Sequence, residues 1–161
     1  MDIKYFLLIG LAIAIIAISP LSAADDDDVS MLDALNITPF SEDTNVTIDG
    51  VTFNVPKGYG EQKDIRKEDN TVSLGIAEVT LSNYQYLNEN GDMINLQVMF
   101  TKGKNVTMDG LTPDDGATKK TINGKEGFYT ESEGVATFMY AQDGKSVQVT
   151  GNSDVISKVI K

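Results

Sequence analysis

The stretch NVTIDGVTFNV, residues 45–55, predicts a β-hairpin and decides the fold class of the chain. Asp49 and Gly50 in its centre accept the positive φ angles of a two-residue type I′ turn. In the register set by this turn, Asn and Thr fall on one face of the hairpin. The other face receives the apolar residues Val46, Ile48, Val51 and Phe53. Register and burial therefore agree, as expected of a half-buried antiparallel pair.

The same pairing arithmetic predicts two further hairpins. One turns at residues 143–144, and the other at a three-residue loop, 89–91, with a bulge at its glycine. These turns make single apolar faces from the pairs Tyr140 with Val147, Phe138 with Val149, Tyr86 with Ile94 and Tyr84 with Leu96. Much of the chain is therefore expected to form antiparallel strands.

A fourth hairpin is predicted around Asn123 and Gly124, with its register left open. A two-residue turn there sets lysines against apolar residues: Ile122 against Lys125 and Lys119 against Phe128. Residues 57–69 are strongly polar and predict either an exposed loop or a one-sided short helix. Residues 103–116 read as a long irregular connection.

Helix signals are sparse. Residues 30–37 predict two helical turns that end before Pro39. Residues 154–161 predict a short C-terminal helix, capped by Asn152 or Ser153. Its apolar face would hold Val155, Ile156, Val159 and Ile160. The predicted fold class is α+β: an antiparallel sheet built from consecutive hairpins, with a few short helices that include one at the C-terminus.

Residues 1–24 have the features of a secretory signal peptide. Lys4 lies in a short polar start, residues 5–18 are uncharged and apolar, and small residues precede a predicted cleavage after Ala24. The apolar run is shorter than the roughly 20 residues that cross a bilayer. A retained N-terminal anchor is the alternative. The predicted division is a signal peptide or anchor at 1–24, an acidic leader with a short helix at 25–43, and one α+β domain at 44–161.

The net charge of the chain restricts the classes of molecule that it is expected to bind. The chain carries a formal net charge of −11, which repels the phosphates of nucleic acids and disfavours attachment to anionic lipid. Contact with a membrane is therefore expected only through the N-terminal segment, if it is uncleaved. The predicted partner is a protein or another envelope component. The predicted location is extracellular, either secreted or on the outer face of the cell envelope.

The chain has neither cysteine nor histidine. This excludes nucleophile systems of the Ser-His-Asp and Cys-His types, and it removes the usual ligands for zinc and copper. It also excludes disulfides, so the exported domain must depend on its core. No cofactor is predicted. Carboxylate, tyrosine or lysine chemistry and hard cations held by oxygen ligands remain open.

Three acceptor sequons for N-glycosylation occur, at Asn36, Asn45 and Asn105. The motif is short, so each site alone carries little weight. Three of them in an exported chain without cysteine fit a glycoprotein of the cell surface.

No metal site is predicted. Asn88, Asn90 and Asp92 alternate around a glycine, but the glycine and glutamate that an EF-hand loop requires are not in place. The candidate ligands for a hard cation lie together in the irregular connection at 103–116, and they are Asp109, Asp114 and Asp115. Solvated turns are the interpretation that we prefer for them.

Two sets of side chains are candidates for a functional role, one in catalysis and the other in binding. Carboxylate catalysis needs two acids facing one cleft, and the set considered was Glu126, Glu131 and Glu133. Solvated strand charges are the preferred interpretation. Tyrosines could line a binding surface, from Tyr84, Tyr86, Tyr129 and Tyr140. Core packing is preferred for all of these except Tyr129, because their register matches aliphatic neighbours.

Three motifs give the chain a family resemblance: "VPKGY" at 55–59, "ING" at 122–124 and "DGK" at 143–145, followed by the closing helix. The chain resembles small exported proteins of methanogenic archaea. More distantly, it is similar to PsbP-like domains. That resemblance implies an antiparallel sheet with helices packed on it and a role in binding or assembly, and it supplies no catalytic residue.

The sequence therefore predicts an exported, non-enzymatic interaction module of the cell surface or extracellular space. A small secreted hydrolase that uses carboxylates is one alternative. A membrane-anchored envelope subunit is the other.

Overall fold

The computed structural model describes residues 30–74 and 77–161. The predicted cleavage after Ala24 and the acidic run at 25–28 lie outside the described residues. Among those that are described, no helix is long and apolar enough to cross a membrane.

The described residues form a mostly antiparallel β structure, with 54% of them in strands and only short helices. The helices are α1 (Met31–Ala34) and α2 (Ile156–Val159). Short 3₁₀ turns occur at Lys63–Ile65 and Met108–Gly110. The strands are β1 (Thr44–Ile48), β2 (Val51–Val55), β3 (Gly60–Glu61), β4 (Lys67–Leu74), β5 (Ala77–Leu87), β6 (Met93–Thr101), β7 (Thr118–Ile122), β8 (Lys125–Ser132), β9 (Val135–Gln142) and β10 (Lys145–Asn152).

The strands make a two-stranded sheet, β1–β2, and an eight-stranded sheet in the order β3–β5–β6–β10–β9–β8–β7. Strand β4 pairs with β5 alongside β3, so these two short partners share the outer edge of β5. Hairpins connect most neighbours. Two pairings are exceptions: β3 with β5, which are separated in sequence by β4, and β6 with β10, which joins the two halves of the large sheet.

The predicted hairpin registers are confirmed. The first hairpin has the predicted pairs along β1 and β2, and the last has those along β9 and β10. Between β5 and β6, Asn88 N–H donates to the Asp92 carbonyl, which leaves the three-residue loop expected from the sequence. Gly91 takes a positive φ of 81° there. The register left open around Asn123 resolves to the two-residue turn.

One face of the large sheet forms the core. Period-2 alternation sends Tyr84, Leu96, Val149 and Phe138 to the same side, where each is almost completely buried. The β1–β2 hairpin and α2 cover this side, and a backbone bridge joins Phe53 to Ile160. Burying one such apolar side chain stabilises the fold by about 1.5–3 kcal/mol.

The first helix is shorter than predicted, because Asn36 ends it. Asn36 has a φ of +53°, and its N–H donates to Asp33 while that of Ile37 donates to Leu32. These two bonds define a Schellman motif, with its usual apolar contact between Leu32 and Ile37. Both side chains pack on Leu87, on the side of the sheet opposite the core. Residues that the sequence assigned to the leader therefore contact the sheet.

The predicted C-terminal helix is wrong in its extent and its cap. Strand β10 continues to Asn152, whose amide donates to Asp92 and does not cap a helix. Helix α2 begins after Val155, which makes no side-chain cap, and it ends where Ile160 bridges to β2. The predicted apolar face is confirmed, since its four residues are at most 6% exposed.

The polar segment 57–69 is neither of the predicted alternatives. It contains β3, a 3₁₀ turn and the first residues of β4. An edge strand has one neighbour and one solvated side, so it needs little apolar patterning. For this reason the alternation of apolar and polar residues that indicates a strand is missing from this segment. The long connection predicted at 103–116 is irregular except for its 3₁₀ turn, as expected.

We expect Gly127→Ala to lower the free energy of unfolding by about 1–3 kcal/mol. A Cβ built on Gly127 would lie 2.6 Å from Cζ of Phe138 and would overlap the carbonyl oxygen of Met139, so β8 and β9 would have to separate. Urea unfolding measures the change. Gly110→Ala is the matched control, because the nearest atom to its Cβ is 4.0 Å away. Equal unfolding midpoints for the two variants would contradict this packing.

Candidate functional site

The acids considered for cation binding lie in exposed parts of the connection between β6 and β7. Asp109 is in the 3₁₀ turn, and Asp114 and Asp115 follow it in a turn of their own. Over the described ranges, no group of three or more acidic side chains is arranged to hold a metal ion.

The three sequon asparagines are exposed. Asn36 ends α1, Asn45 lies in β1, and Asn105 lies beside the turn at Gly144. The side-chain oxygen of Asn45 accepts a hydrogen bond from Nζ of Lys161 at 2.9 Å. Their exposure is compatible with glycosylation, which stays a prediction.

The glutamates considered for catalysis are not brought together. Glu126 projects from β8 on the side opposite the core, Glu131 projects on the core side, and Glu133 occupies the β8–β9 turn with a φ of +53°. Two acids of one strand separated by an odd number of positions point to opposite faces. These carboxylates therefore do not share a cleft.

Core packing of the tyrosines is confirmed where it was preferred. Tyr84, Tyr86 and Tyr140 are at most 4% exposed. Burial raises the pKa of Tyr140, and its hydroxyl is a buried group with no hydrogen-bond partner among the described residues. Tyr129 is only partly buried and remains available for contact.

Tyr129 lies at a cleft of about 320 Å³ between the β7–β8 hairpin and α2. Its hydroxyl donates to Oε2 of Glu131 at 2.6 Å, and Nζ of Lys120 lies 3.8 Å from its ring centroid. Asn123 at the hairpin tip closes the cleft by donating to the α2 carbonyls of Ser157 and Ile160. The cleft is thus built from polar groups that already bond to one another.

The ionisation states in this cleft do not suit acid–base chemistry at neutral pH. Burial, followed by the hydrogen bond to Glu131, raises the pKa of Tyr129 to about 12. Hydrogen bonds from Tyr129 and Ser153 lower the pKa of Glu131. At pH 7 the tyrosine keeps its proton and the glutamate stays charged, so neither is poised to exchange one.

A second polar cluster holds the edge formed by β3 and β4 to β5. Arg66 donates to Glu61 at 3.3 Å, to Glu68 at 2.9 Å and to the Tyr84 hydroxyl at 2.6 Å. Its guanidinium carbon lies 4.2 Å from the centroid of the Tyr84 ring. The planar guanidinium suits this combination of ion pairing and stacking, and the cluster is structural in character.

Two aspartates meet near the same edge. Asp49 lies in the β1–β2 turn, and Asp69 lies in an irregularity of β4 with a φ of +49°. The charge of Asp49, followed by burial, raises the pKa of Asp69, which can donate to Asp49 when it is protonated. Oδ2 of Asp49 is buried and has no other partner in the described part of the chain.

The side of the large sheet opposite the core carries an extended uncharged surface, which we name the charge-poor face. It consists of three rows across the paired strands: Leu81, Met99, Ser146 and Ala141; Asn83, Gln97, Gln148, Met139 and Phe128; and Gln85, Asn95, Thr150, Thr137 and Thr130. Gln148, Met139 and Phe128 are partly exposed. Sequence reasoning missed this face, although the residues between the core positions of β5, β6, β9 and β10 already lacked charge.

We expect Asp69→Asn to stabilise the protein at pH 7. Because the pKa of Asp69 is raised in the folded state, its contribution to stability is present below the ordinary value of about 3.9 and is lost as the pH rises through the raised pKa. Asparagine keeps a neutral donor beside Asp49 at every pH, and it tolerates a positive φ.

Urea unfolding between pH 3 and pH 7 measures this effect. The gain of the variant over the natural chain should grow with pH and vanish in acid. Asp109→Asn makes the same change in net charge at an exposed turn and serves as the control. A gain independent of pH, or an equal gain in the control, would contradict repulsion between Asp49 and Asp69.

Comparisons of the chain with protein-family models, with curated proteins and with solved structures found no match.

Proposed function

We propose that the chain is an exported, non-enzymatic interaction module of the cell surface or extracellular space. The observation that carries this proposal is the charge-poor face. The protein has a net charge of −11, yet the three rows contain no charged residue where they cross β5, β6, β10 and β9. Charged residues on this side lie at the margins of the rows, at Lys67, Lys119 and Glu126. Depletion of charge, with methionine and aromatic side chains present, is typical of the centre of a protein–protein interface.

One buried atom on this face supports a role in contact. Asn95 is 2% exposed, and its Oδ1 has no hydrogen-bond partner among the described residues. An unpaired buried oxygen costs about 1–3 kcal/mol. A donor from a partner, or a water held under it, would recover part of this energy.

The export and fold assignments rest on the sequence together with the sheet. The apolar segment at 5–18 and the small residues before position 25 support secretion, and the exposed sequon asparagines are compatible with a glycosylated surface protein. We assign the fold to the α+β class, as an antiparallel sheet of consecutive hairpins. The more distant resemblance, to PsbP-like domains, agrees with a binding or assembly role.

A carboxylate-dependent hydrolase is the second candidate, and the Asp49–Asp69 pair favours it. Two acids that share one proton can act as an acid and a base. The pair, however, lies at an exposed strand irregularity, and the described cleft of about 320 Å³ is lined by other residues. Chemistry that excludes water needs an enclosed site, so we prefer contact to catalysis.

Affinity capture from the native cell envelope tests the proposal. The immobilised chain should retain a stoichiometric partner, and Gln148→Lys should reduce the retained amount at least about tenfold, because a buried unpaired charge opposes association. Thr112→Lys adds the same charge at an exposed position of the irregular connection and should retain the partner fully. Equal capture by both variants would exclude the charge-poor face, and a defined turnover by the purified chain would replace the proposal with the hydrolase.

The intact mass of the protein isolated from its source tests export separately. We expect a mass that lacks residues 1–24, with any additional mass arriving in glycan-sized steps. Treatment with a glycan-releasing reagent should remove those steps. A mass that retains residues 1–24 would favour the anchored envelope subunit over a free module.

A further inference from the structure

Strand β4 has an unpaired edge. It pairs with β5 along residues 67–74, and within the described ranges no strand lies on its other side. An exposed edge presents a row of N–H and C=O groups that can bond to an added strand. β7, at the opposite edge of the sheet, carries the exposed residues Lys119 and Lys120, which are a common protection against such addition.

The second half of β4 lacks that protection. Residues 70–74 read Asn-Thr-Val-Ser-Leu and carry no charge, whereas Lys67, Glu68 and Asp69 occupy the start of the strand. Val72 lies in this uncharged half and is 45% exposed. An uncharged edge with an exposed β-branched residue is the kind of edge on which strand addition occurs.

The surroundings of the edge favour a basic strand. Asp69 and Asp49 repel each other at one end of the uncharged half, and Glu78 lies opposite Ser73 at the other. Among the nearby cations, Arg66 is engaged by Glu61 and Glu68. Lys67 precedes the irregularity in β4, and Lys145 lies beside the turn glycine, Gly50. Within the described residues, neither Asp49 nor Asp69 forms an ion pair of the kind that Arg66 forms. A lysine or arginine entering here would therefore meet two carboxylates that can still bind it.

The same charges disfavour a second copy of the chain as the occupant. Two copies carry −11 each, and pairing their β4 strands would bring both acidic ends into one interface. A partner with the opposite charge gains from the same field. Charge complementarity therefore selects a basic segment from a different protein.

We propose that the free edge of β4, over residues 70–74, accepts an extended basic segment of a partner protein as an added β-strand. The inference deepens the proposed function by naming the chemistry of one contact. Main-chain hydrogen bonds supply most of the affinity, Val72 packs against an alternate side chain, and Asp49 and Asp69 bind a lysine or arginine.

A synthetic peptide serves as the probe. It alternates valine and threonine between two lysines and carries a fluorophore, and its binding to the full chain is followed by fluorescence anisotropy. A peptide with glutamates in place of both lysines should bind at least about tenfold more weakly. A peptide with alternate amides N-methylated should lose binding, because it cannot complete the ladder.

Two variants locate the site. Val72→Lys protects the edge and should weaken binding at least about tenfold. Val135→Lys is its matched control, because Val135 is 44% exposed but lies in β9, which has a strand on each side. Asp69→Asn should weaken binding about threefold to tenfold by removing one charge.

The outcomes separate this inference from the proposed function. Equal binding of the lysine and glutamate peptides, or equal loss in the two valine variants, overturns strand addition at β4. Self-association that Val72→Lys abolishes also overturns it, since the edge would then pair with a second copy. If envelope capture depends on Gln148 but not on Val72, the interaction module stands and the β4 inference fails.

Discussion

The constraint on which the rest of the structure depends is that the large sheet has one strongly apolar face, which has to be buried. Period-2 alternation places residues such as Leu96, Phe138 and Val149 on a single side, and the β1–β2 hairpin with α2 closes over them. Because the chain has no cysteine, no disulfide holds the fold, which relies on this layer. The same alternation assigns every other residue to the opposite side, so the core and the charge-poor face have one origin.

Local chemistry explains how much of the fold could be predicted. The hairpin turns were predictable because Asp49, Asn123 and Asp143 each precede a glycine. The registers at Asp49 and Asp143 followed from the matching apolar pairs, whereas the pairs around Asn123 mix lysine with apolar residues and left that register open. The helix ends were not, since Asn36 could be read as a loop residue, and the extension of β10 to Asn152 depends on pairing with β6 and β9. Edge strands β3 and β4 were not predicted because they also depend on pairing with a strand distant from the local pattern. They form because one edge of β5 is free to pair with them.

The candidate site was less predictable than the fold because it depends on contacts distant in sequence. Asp49 and Asp69 interact although they belong to different sheets, and the way in which the first hairpin packs on the large sheet decides that placement. Tyr129 and Glu131 lie two positions apart on one strand, and their shared face was foreseeable. What the sequence did not reveal is that burial, followed by this hydrogen bond, raises the pKa of Tyr129, while hydrogen bonds from Tyr129 and Ser153 lower the pKa of Glu131. Both pKa values lie away from neutrality, which makes the pair a poor catalyst.

The irregularity in β4 connects stability to the proposed contact. Asp69 combines a positive φ, which five other described non-glycine residues share, with a like charge beside it, and both features cost free energy. Natural proteins tend to depart from local structural preferences at functional sites. The irregularity in β4 lies next to the uncharged half of the strand, where an added basic strand would remove the repulsion between Asp49 and Asp69. The energy lost in the isolated protein would then be regained in the complex, so the same acid pair that weakens the free domain would strengthen its binding.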